Sequence, residues 1–198
     1  MKNNLRSYLL NPVKVIPDKI QIIAGIAILI FAFWSYYFLG IIQDGIYHVS
    51  IPDNRPYPLL LIQTTLIAYL IPSLALFGAG RIFNGRTRLI DSWNSFLFSS
   101  LPLLIANIPA ALLISNNEIQ ETLKSPDRLH NSWFLIRSAI LACVEIPALI
   151  YSIVLLVNGF KTTTNAKKTI HYILMAAAII LSEVVYRLMC YPYLLKHF

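Results

Sequence analysis

Four charged side chains stand inside long apolar stretches of the sequence and are the first residues to consider for chemistry: Arg137, Glu145, Glu183 and Arg187. A charged group in a hydrocarbon layer is costly, so such residues either line an ion or proton path or hold neighbouring helices together. Glu183 precedes Arg187 by four residues, which places an acid and a base on one helix face in the favourable order. The sequence therefore predicts at least one ion pair inside the membrane.

The depths of these residues indicate a further pairing. At about 1.5 Å of rise per residue, Arg137 lies about 6 Å and Glu183 about 10 Å below the outer membrane edge, so we expect them to pair between two helices. Gln63 and Asn107 fall at a similar level. We therefore predict a polar layer in the outer third of the membrane. A network that fixes helix register is the favoured interpretation, and a proton or ion path is the alternative.

Glu145 stands apart, because it is expected about 18 Å below the outer edge, near the middle of the bilayer. No basic residue is predicted at that depth, but the hydroxyl groups of Tyr69, Ser99 and Ser100 are predicted to lie there. Either Glu145 is a titrating carboxyl in a transport path, or it is a neutral acid hydrogen-bonded to a hydroxyl. The second, structural interpretation is favoured.

Long apolar runs must position these residues. The chain has 198 residues, of which 57% are hydrophobic and 13% are charged, and about 20 apolar residues suffice to cross a bilayer as a helix. Five runs reach that length, at residues 20–42, 58–80, 92–114, 133–157 and 169–191. The sequence therefore predicts an all-α integral membrane protein, in which residues 1–198 form a single domain built on a bundle of five transmembrane helices.

Lys and Arg are distributed unevenly between the two sides of these runs. Ten of the 16 fall in the N-terminal arm, in the connection between the second and third runs, and in the connection between the fourth and fifth. Because basic loops stay in the cytoplasm, we predict a cytoplasmic N-terminus and a C-terminus outside. The absence of a cleavable signal pattern and of long soluble tails favours the bacterial cytoplasmic (inner) membrane.

Two segments outside the runs carry a pattern of their own. In the N-terminal arm, Leu5, Tyr8 and Leu9 share a face with basic residues nearby, which predicts a short segment resting on anionic lipid. The outer loop, residues 115–131, opens with a capping-box pattern, which predicts a short helix on the outer surface.

Nothing in the sequence indicates catalysis or a bound cofactor. Motifs of serine hydrolases, zinc proteases, P-loop proteins and dinucleotide-binding proteins do not occur. His48, His130 and His197 are expected on the outer side, but they come from separate segments without ligand spacing. The basic loops lack the aromatic platform of a nucleic-acid site. We therefore expect no catalytic residue, no metal, no cofactor and no nucleic-acid partner.

Several short segments resemble those of a known family. They are Leu9-Leu10-Asn11-Pro12, Gly78-Ala79-Gly80, Phe83-Asn84-Gly85, Ser99-Ser100-Leu101-Pro102 and the stretch from Tyr151 to Lys161. Together with five spans and almost no soluble domain, they are similar to the bacterial branch of the Yip family, the Ypt/Rab-interacting membrane proteins. The Asp-Leu-Tyr-Gly-Pro type motif of eukaryotic members is absent from the chain.

The resemblance implies a non-enzymatic, multi-pass membrane protein without catalytic residues to carry over. Such a protein would act through the lipid bilayer, through other membrane proteins or through self-association. A small proton-coupled transporter or permease is the alternative, with its path carried by the intramembrane Glu and Arg residues.

Overall fold

The computed structural model describes residues 5–52, 54–113 and 132–197. Five of its helices are long and apolar enough to cross a membrane, which confirms the predicted all-α membrane fold. They are α3 (Asp18–Leu39), α4 (Pro58–Phe83), α5 (Leu89–Leu113), α6 (Ser132–Thr164) and a last helix that begins with α7 (Thr169–Val185). Two short helices precede them, α1 (Leu5–Leu10) and α2 (Pro12–Val15). The surface helix predicted within residues 115–131 lies outside the described residues.

The first spanning helix ends earlier than the sequence predicts. The predicted span reaches residue 42, but α3 stops at Leu39, because Gly40 adopts a left-handed backbone with a φ of 66°. Glycine takes this conformation without steric cost and commonly ends a helix. The residues after Gly40 therefore leave the helix axis and turn back toward the bundle.

The fourth and fifth spans also differ from their predicted limits. The predicted fourth span ends at residue 157, whereas α6 continues to Thr164. The last helix contains a π-helical turn at Tyr186–Cys190 and continues as α8 (Tyr191–His197). A π turn inside an α-helix is often found at functional sites, and the sequence gives no signal for it here.

The central helix of the bundle is α5. Helices α3, α4 and α6 all pack against it, while α7 packs chiefly against α4. The core between them contains Ala68, Leu76, Phe96 and Leu97, which are fully buried. Large apolar side chains also cover the outward faces of all five spanning helices. A helix that is apolar on both its inner and outer faces is typical of a membrane span.

Candidate functional site

A β-hairpin follows α3 and inserts into one end of the bundle. Its strands are β1 (Ile42–Gln43) and β2 (Val49–Ser50), paired antiparallel with Ile42 opposite Ser50. We call residues 41–51 the outer hairpin and its end of the bundle the outer end, following the predicted orientation; the opposite end is the inner end. The side chains of Ile41, Ile42, Gln43 and Ile46 are no more than 2% exposed. The outer hairpin is therefore part of the core.

The outer hairpin reaches deep along α5. The hydroxyl of Tyr47 lies 3.2 Å from Ser99 Oγ, and its ring centroid lies 5.3 Å from that of Phe96. Since Ser99 is ten residues into α5, it lies about 15 Å from the start of that helix. The tip of the Tyr47 side chain thus lies near the middle of the spanning region.

Buried tyrosines surround the outer hairpin. The Tyr186 hydroxyl donates to the main-chain oxygen of Gln43 at 2.8 Å and lies 3.2 Å from that of Thr64. The side chains of Tyr36 and Tyr69 interact with one another, and both residues are at most 2% exposed. These rings come from α3, α4 and the π turn. Of the three, Tyr186 supplies a hydroxyl donor to a main-chain oxygen that the hairpin brings into the core, which is what burial of such an atom requires.

A carboxylate on the last helix holds the turn of the outer hairpin. Glu183 Oε2 accepts a hydrogen bond from the Ile46 N–H at 2.7 Å, and Glu183 Oε1 lies 2.6 Å from Arg187 Nε. The predicted spacing of Glu183 and Arg187 therefore corresponds to an ion pair in the structure. One oxygen binds its own helix and the other binds the hairpin, so the carboxylate joins the two.

Gly45 permits this close approach. A Cβ atom added to Gly45 would lie 2.6 Å from Glu183 Oε1 and 3.1 Å from Arg187 Nε. Real Cβ atoms essentially never lie as close as 2.6 Å to another heavy atom, so the carboxylate or the turn would have to move. The backbone of the turn therefore rests directly on the ion pair, and a side chain at this position would separate them.

His48 adds a titratable group to the same turn. Its Nδ1 lies 2.5 Å from Asp44 Oδ1, and this hydrogen bond raises the pKa of the His48 imidazole. The charge of Glu183 also raises the pKa of His48, while partial burial and the charge of Arg187 lower it. The carboxylate of Glu145 on α6 lies within electrostatic range of His48. The turn is thus in electrostatic contact with both the fourth and the fifth span.

Arg137 and Glu183 are not partners, contrary to the prediction from their depths. Arg137 Nη1 donates to the main-chain oxygen of Leu113 at 2.9 Å, and the guanidinium lies 6.0 Å from the Trp133 ring centroid. Equal depth does not make two helices neighbours: α6 packs chiefly against α5, and the last helix packs against α4. The outer hairpin, which the depth argument did not include, supplies the partner of Glu183.

The other predicted polar residues occupy separate places. Asn107 lines a small cavity beneath the outer hairpin. Gln63 Oε1 is buried and accepts no hydrogen bond from a described residue. Glu145 is half-buried and forms no hydrogen bond or ion pair with the described part of the chain. Its expected hydroxyl partners are engaged elsewhere, since Ser99 bonds to Tyr47 and Tyr69 interacts with Ser100.

The residues of the hairpin turn were missed by the sequence argument, which considered only charged and amide side chains inside the spans. A signal for them exists. Asp44-Gly45 is a dipeptide that often marks a hairpin turn, although here it opens a longer connection, residues 44–48, between the two strands. The sequence Ile41-Ile42-Gln43-Asp44-Gly45-Ile46 contains it directly after the glycine that ends α3.

The inner end has a second docked segment, which we call the inner arm (residues 5–16). Asn11 Nδ2 donates to Thr162 Oγ1 at 2.8 Å, and Asn158 Nδ2 donates to the main-chain oxygen of Leu10 at 2.8 Å. The Tyr151 hydroxyl donates to the main-chain oxygen of Leu9 at 2.6 Å. Two of the segments that carry the family resemblance, Leu9–Pro12 and Tyr151–Lys161, therefore bind one another.

Described residues include no group of three or more His, Cys, Asp or Glu side chains that could hold a metal ion. Each end of the bundle instead has a segment docked on the helices: a largely buried hairpin bound through Glu183 at the outer end and a half-exposed arm at the inner end.

No curated protein and no solved structure matches the chain. The family model of the Yip1 domain matches residues 22–186. This range contains the whole outer hairpin and part or all of each of the five spanning helices. This match covers far more than half of the sequence, and it confirms the predicted membership of the Yip family. The chain belongs to the Yip1-domain family of multi-pass membrane proteins.

Proposed function

We propose that the protein works without catalysis, by binding anionic lipid and other membrane proteins at its inner end, which faces the cytoplasm at a bacterial inner membrane. The observation that carries the proposal is the inner arm. One side of it is fixed to α6 by the bonds of Asn11 and Asn158. On its other side Leu5, Tyr8 and Leu9 are 74%, 44% and 53% exposed. An apolar face on a segment held beside a membrane span is suited to the lipid interface.

Basic side chains around the inner end support the choice of an anionic lipid. Arg6 and Lys14 on the inner arm are exposed. Further exposed bases lie at the inner ends of the helices: Arg81, Arg86, Lys161, Lys167 and Lys168. None of these residues forms an ion pair with a described residue, whereas Arg88 is paired with Asp18 and Asp91. Each unpaired base near an anionic surface contributes about 1 kcal/mol of attraction.

The function as a small proton-coupled transporter has one observation in its favour. Glu145 is half-buried in a spanning helix without a described partner, and His48 lies within electrostatic range of it. Against this reading, Glu183 and Arg187 are bound to each other and Glu183 also to the Ile46 N–H, so neither is free to exchange ligands.

Lipid retention tests the main proposal. The full chain is purified in detergent, mixed with phosphatidylglycerol or phosphatidylcholine, and the bound lipid is counted by native mass spectrometry. We expect preference for phosphatidylglycerol, and the double variant Lys167→Gln/Lys168→Gln should weaken its binding by about 2 kcal/mol, or about thirtyfold.

Lys196→Gln is the matched control, because Lys196 is also exposed but lies near the end of α8, at the outer end. Equal binding of both lipids, or equal losses in both variants, would contradict the proposal. Proton flux in reconstituted vesicles that disappears in Glu145→Gln would instead support the transporter.

A further inference from the structure

A small cavity lies where the outer hairpin meets the bundle. Its polar lining comes from α3, α4, α5 and the hairpin itself: Tyr36, Gln43, Tyr47, Tyr69, Ser100 and Asn107. The centre of a water-sized sphere can occupy about 10 Å³ of this space, which is close to the minimum that one water molecule needs. The size of the cavity limits its occupant to a single water.

Gln43 in this lining has an unfulfilled hydrogen-bonding group. The side chain is 2% exposed, and its Nε2 donates to the main-chain oxygen of Ile46 at 3.3 Å. Its Oε1 is buried and accepts no hydrogen bond from a described residue. Buried amide oxygens in native proteins are nearly always bonded to protein or to an ordered water.

The hydroxyl groups nearby are already engaged. Tyr186 donates to the main-chain oxygen of Gln43, Ser100 Oγ donates to the main-chain oxygen of Leu97 at 2.8 Å, and Tyr47 shares a hydrogen bond with Ser99. The bonds seen in the structure thus leave Gln43 Oε1 without a donor among the described residues.

We propose that this cavity binds one water molecule, which donates a hydrogen bond to Gln43 Oε1 and also bonds to Asn107 on α5. Water in protein interiors typically makes about three hydrogen bonds, and the oxygen of a tyrosine hydroxyl that already donates elsewhere can still accept the third. The water links the outer hairpin to the central helix, because Gln43 belongs to the first and Asn107 to the second. Leu103 and Leu104 close the apolar side of the cavity.

X-ray radiolysis of the full chain in nanodiscs tests the site, since hydroxyl radicals formed from a bound water oxidise the side chains beside it. Mass spectrometry then locates the added oxygen. We expect oxidation of Tyr69, which is 1% exposed and lines the cavity. Phe160 is also 1% exposed but is not among the residues that line it, so it should stay unmodified.

Two variants remove the partners of the water. Gln43→Leu and, independently, Asn107→Leu should lower the oxidation of Tyr69 to the level of Phe160. Gln63→Leu is the matched control, because Gln63 also has a buried Oε1 that accepts no hydrogen bond from a described residue but does not line the cavity. It should leave the oxidation of Tyr69 unchanged.

Either of two results would overturn the proposal: oxidation of Tyr69 no greater than that of Phe160 in the wild-type chain, or unchanged oxidation of Tyr69 in both leucine variants. If Gln43→Leu does not yield a monodisperse protein, the wild-type measurement and Asn107→Leu decide the question.

Discussion

The inner arm and the outer hairpin flank the same helix, α3, and are held to the bundle in opposite ways. The inner arm uses neutral amide and hydroxyl groups, such as Asn11 and Asn158, and leaves much of its apolar surface exposed. The outer hairpin is buried, and a charged carboxylate, Glu183, accepts its main-chain N–H. The inner arm lies on the surface of the helices, and the outer hairpin lies between them.

The difference has an energetic meaning. A partly exposed hydrogen bond contributes about 1 kcal/mol, because water can replace either partner when the bond is lost. The bond between the Ile46 N–H and Glu183 costs more to lose, because its acceptor is charged and Ile46 is only 2% exposed, although Glu183 itself is partly exposed. We therefore expect the inner arm to open alone, while the outer hairpin opens only with the helices around it.

The strongest test of this contrast is Glu183→Ala. The change removes the acceptor of the Ile46 N–H and the partner of Arg187, so we expect a loss of about 3 kcal/mol in unfolding free energy. Thermal unfolding in detergent measures it. Glu145→Ala is the control, because that carboxyl has no described partner, and its effect should stay within about 0.5 kcal/mol. Equal losses in the two variants would contradict the role of Glu183.

A smaller effect is expected for Gly45→Ala. The new Cβ would displace the Glu183 carboxylate from the turn, and weakening its bonds to the Ile46 N–H and Arg187 should cost about 2 kcal/mol. The same unfolding measurement applies. In Gly78→Ala the added Cβ meets nothing within 4 Å, so replacing a helical glycine should stabilise the protein by up to about 1 kcal/mol. Two variants of equal stability would show that the turn does not rest on the ion pair.

The inner arm should respond weakly and locally. Asn11→Ala removes the bond to Thr162 and the N-cap of α2, which together contribute about 1 kcal/mol. Hydrogen exchange should accelerate in residues 5–16 and stay unchanged in residues 41–51. The exposed Asn54 has no described hydrogen bond, so Asn54→Ala should alter neither segment. Faster exchange in the hairpin as well would mean that the two segments are coupled.

The smallest effect is a pH dependence of the outer hairpin. Its hydrogen bond to Asp44 raises the pKa of His48 in the folded state. Protonated His48 therefore stabilises the outer hairpin fully below about pH 6.5. This stabilisation is lost as pH rises through the raised pKa of His48. Hydrogen exchange of residues 41–51, corrected for its intrinsic pH dependence, should show less protection at high pH than at low pH. His48→Gln should abolish the difference; a dependence that persists in this variant would rule His48 out.

Hydropathy was sufficient to predict the five spanning helices, because the solvent around them is lipid and each must be apolar over its full length. The pairing of Glu183 with Arg187 was predictable as well, since four residues on one helix fix their relation. The pairing of Arg137 with Glu183 was wrong, because depth gives no information on which helices are lateral neighbours. The deep insertion of the outer hairpin depends on tyrosines from three other elements, and no local pattern encodes such a contact.

The π turn at Tyr186–Cys190 has a consequence for the face that the end of the last helix presents to the lipid. A π turn amounts to one residue inserted into an α-helix, and one residue rotates everything after it by about 100° around the axis. Ser182 and Tyr186 lie on the buried face of the last helix. Because of the π turn, this face does not continue in the same direction into α8, where Leu194 is buried among the described residues. The Yip1-domain match stops at residue 186, the first residue of this turn. Relatives that carry or lack the extra residue would display different faces of their final helix to the lipid while keeping the same bundle.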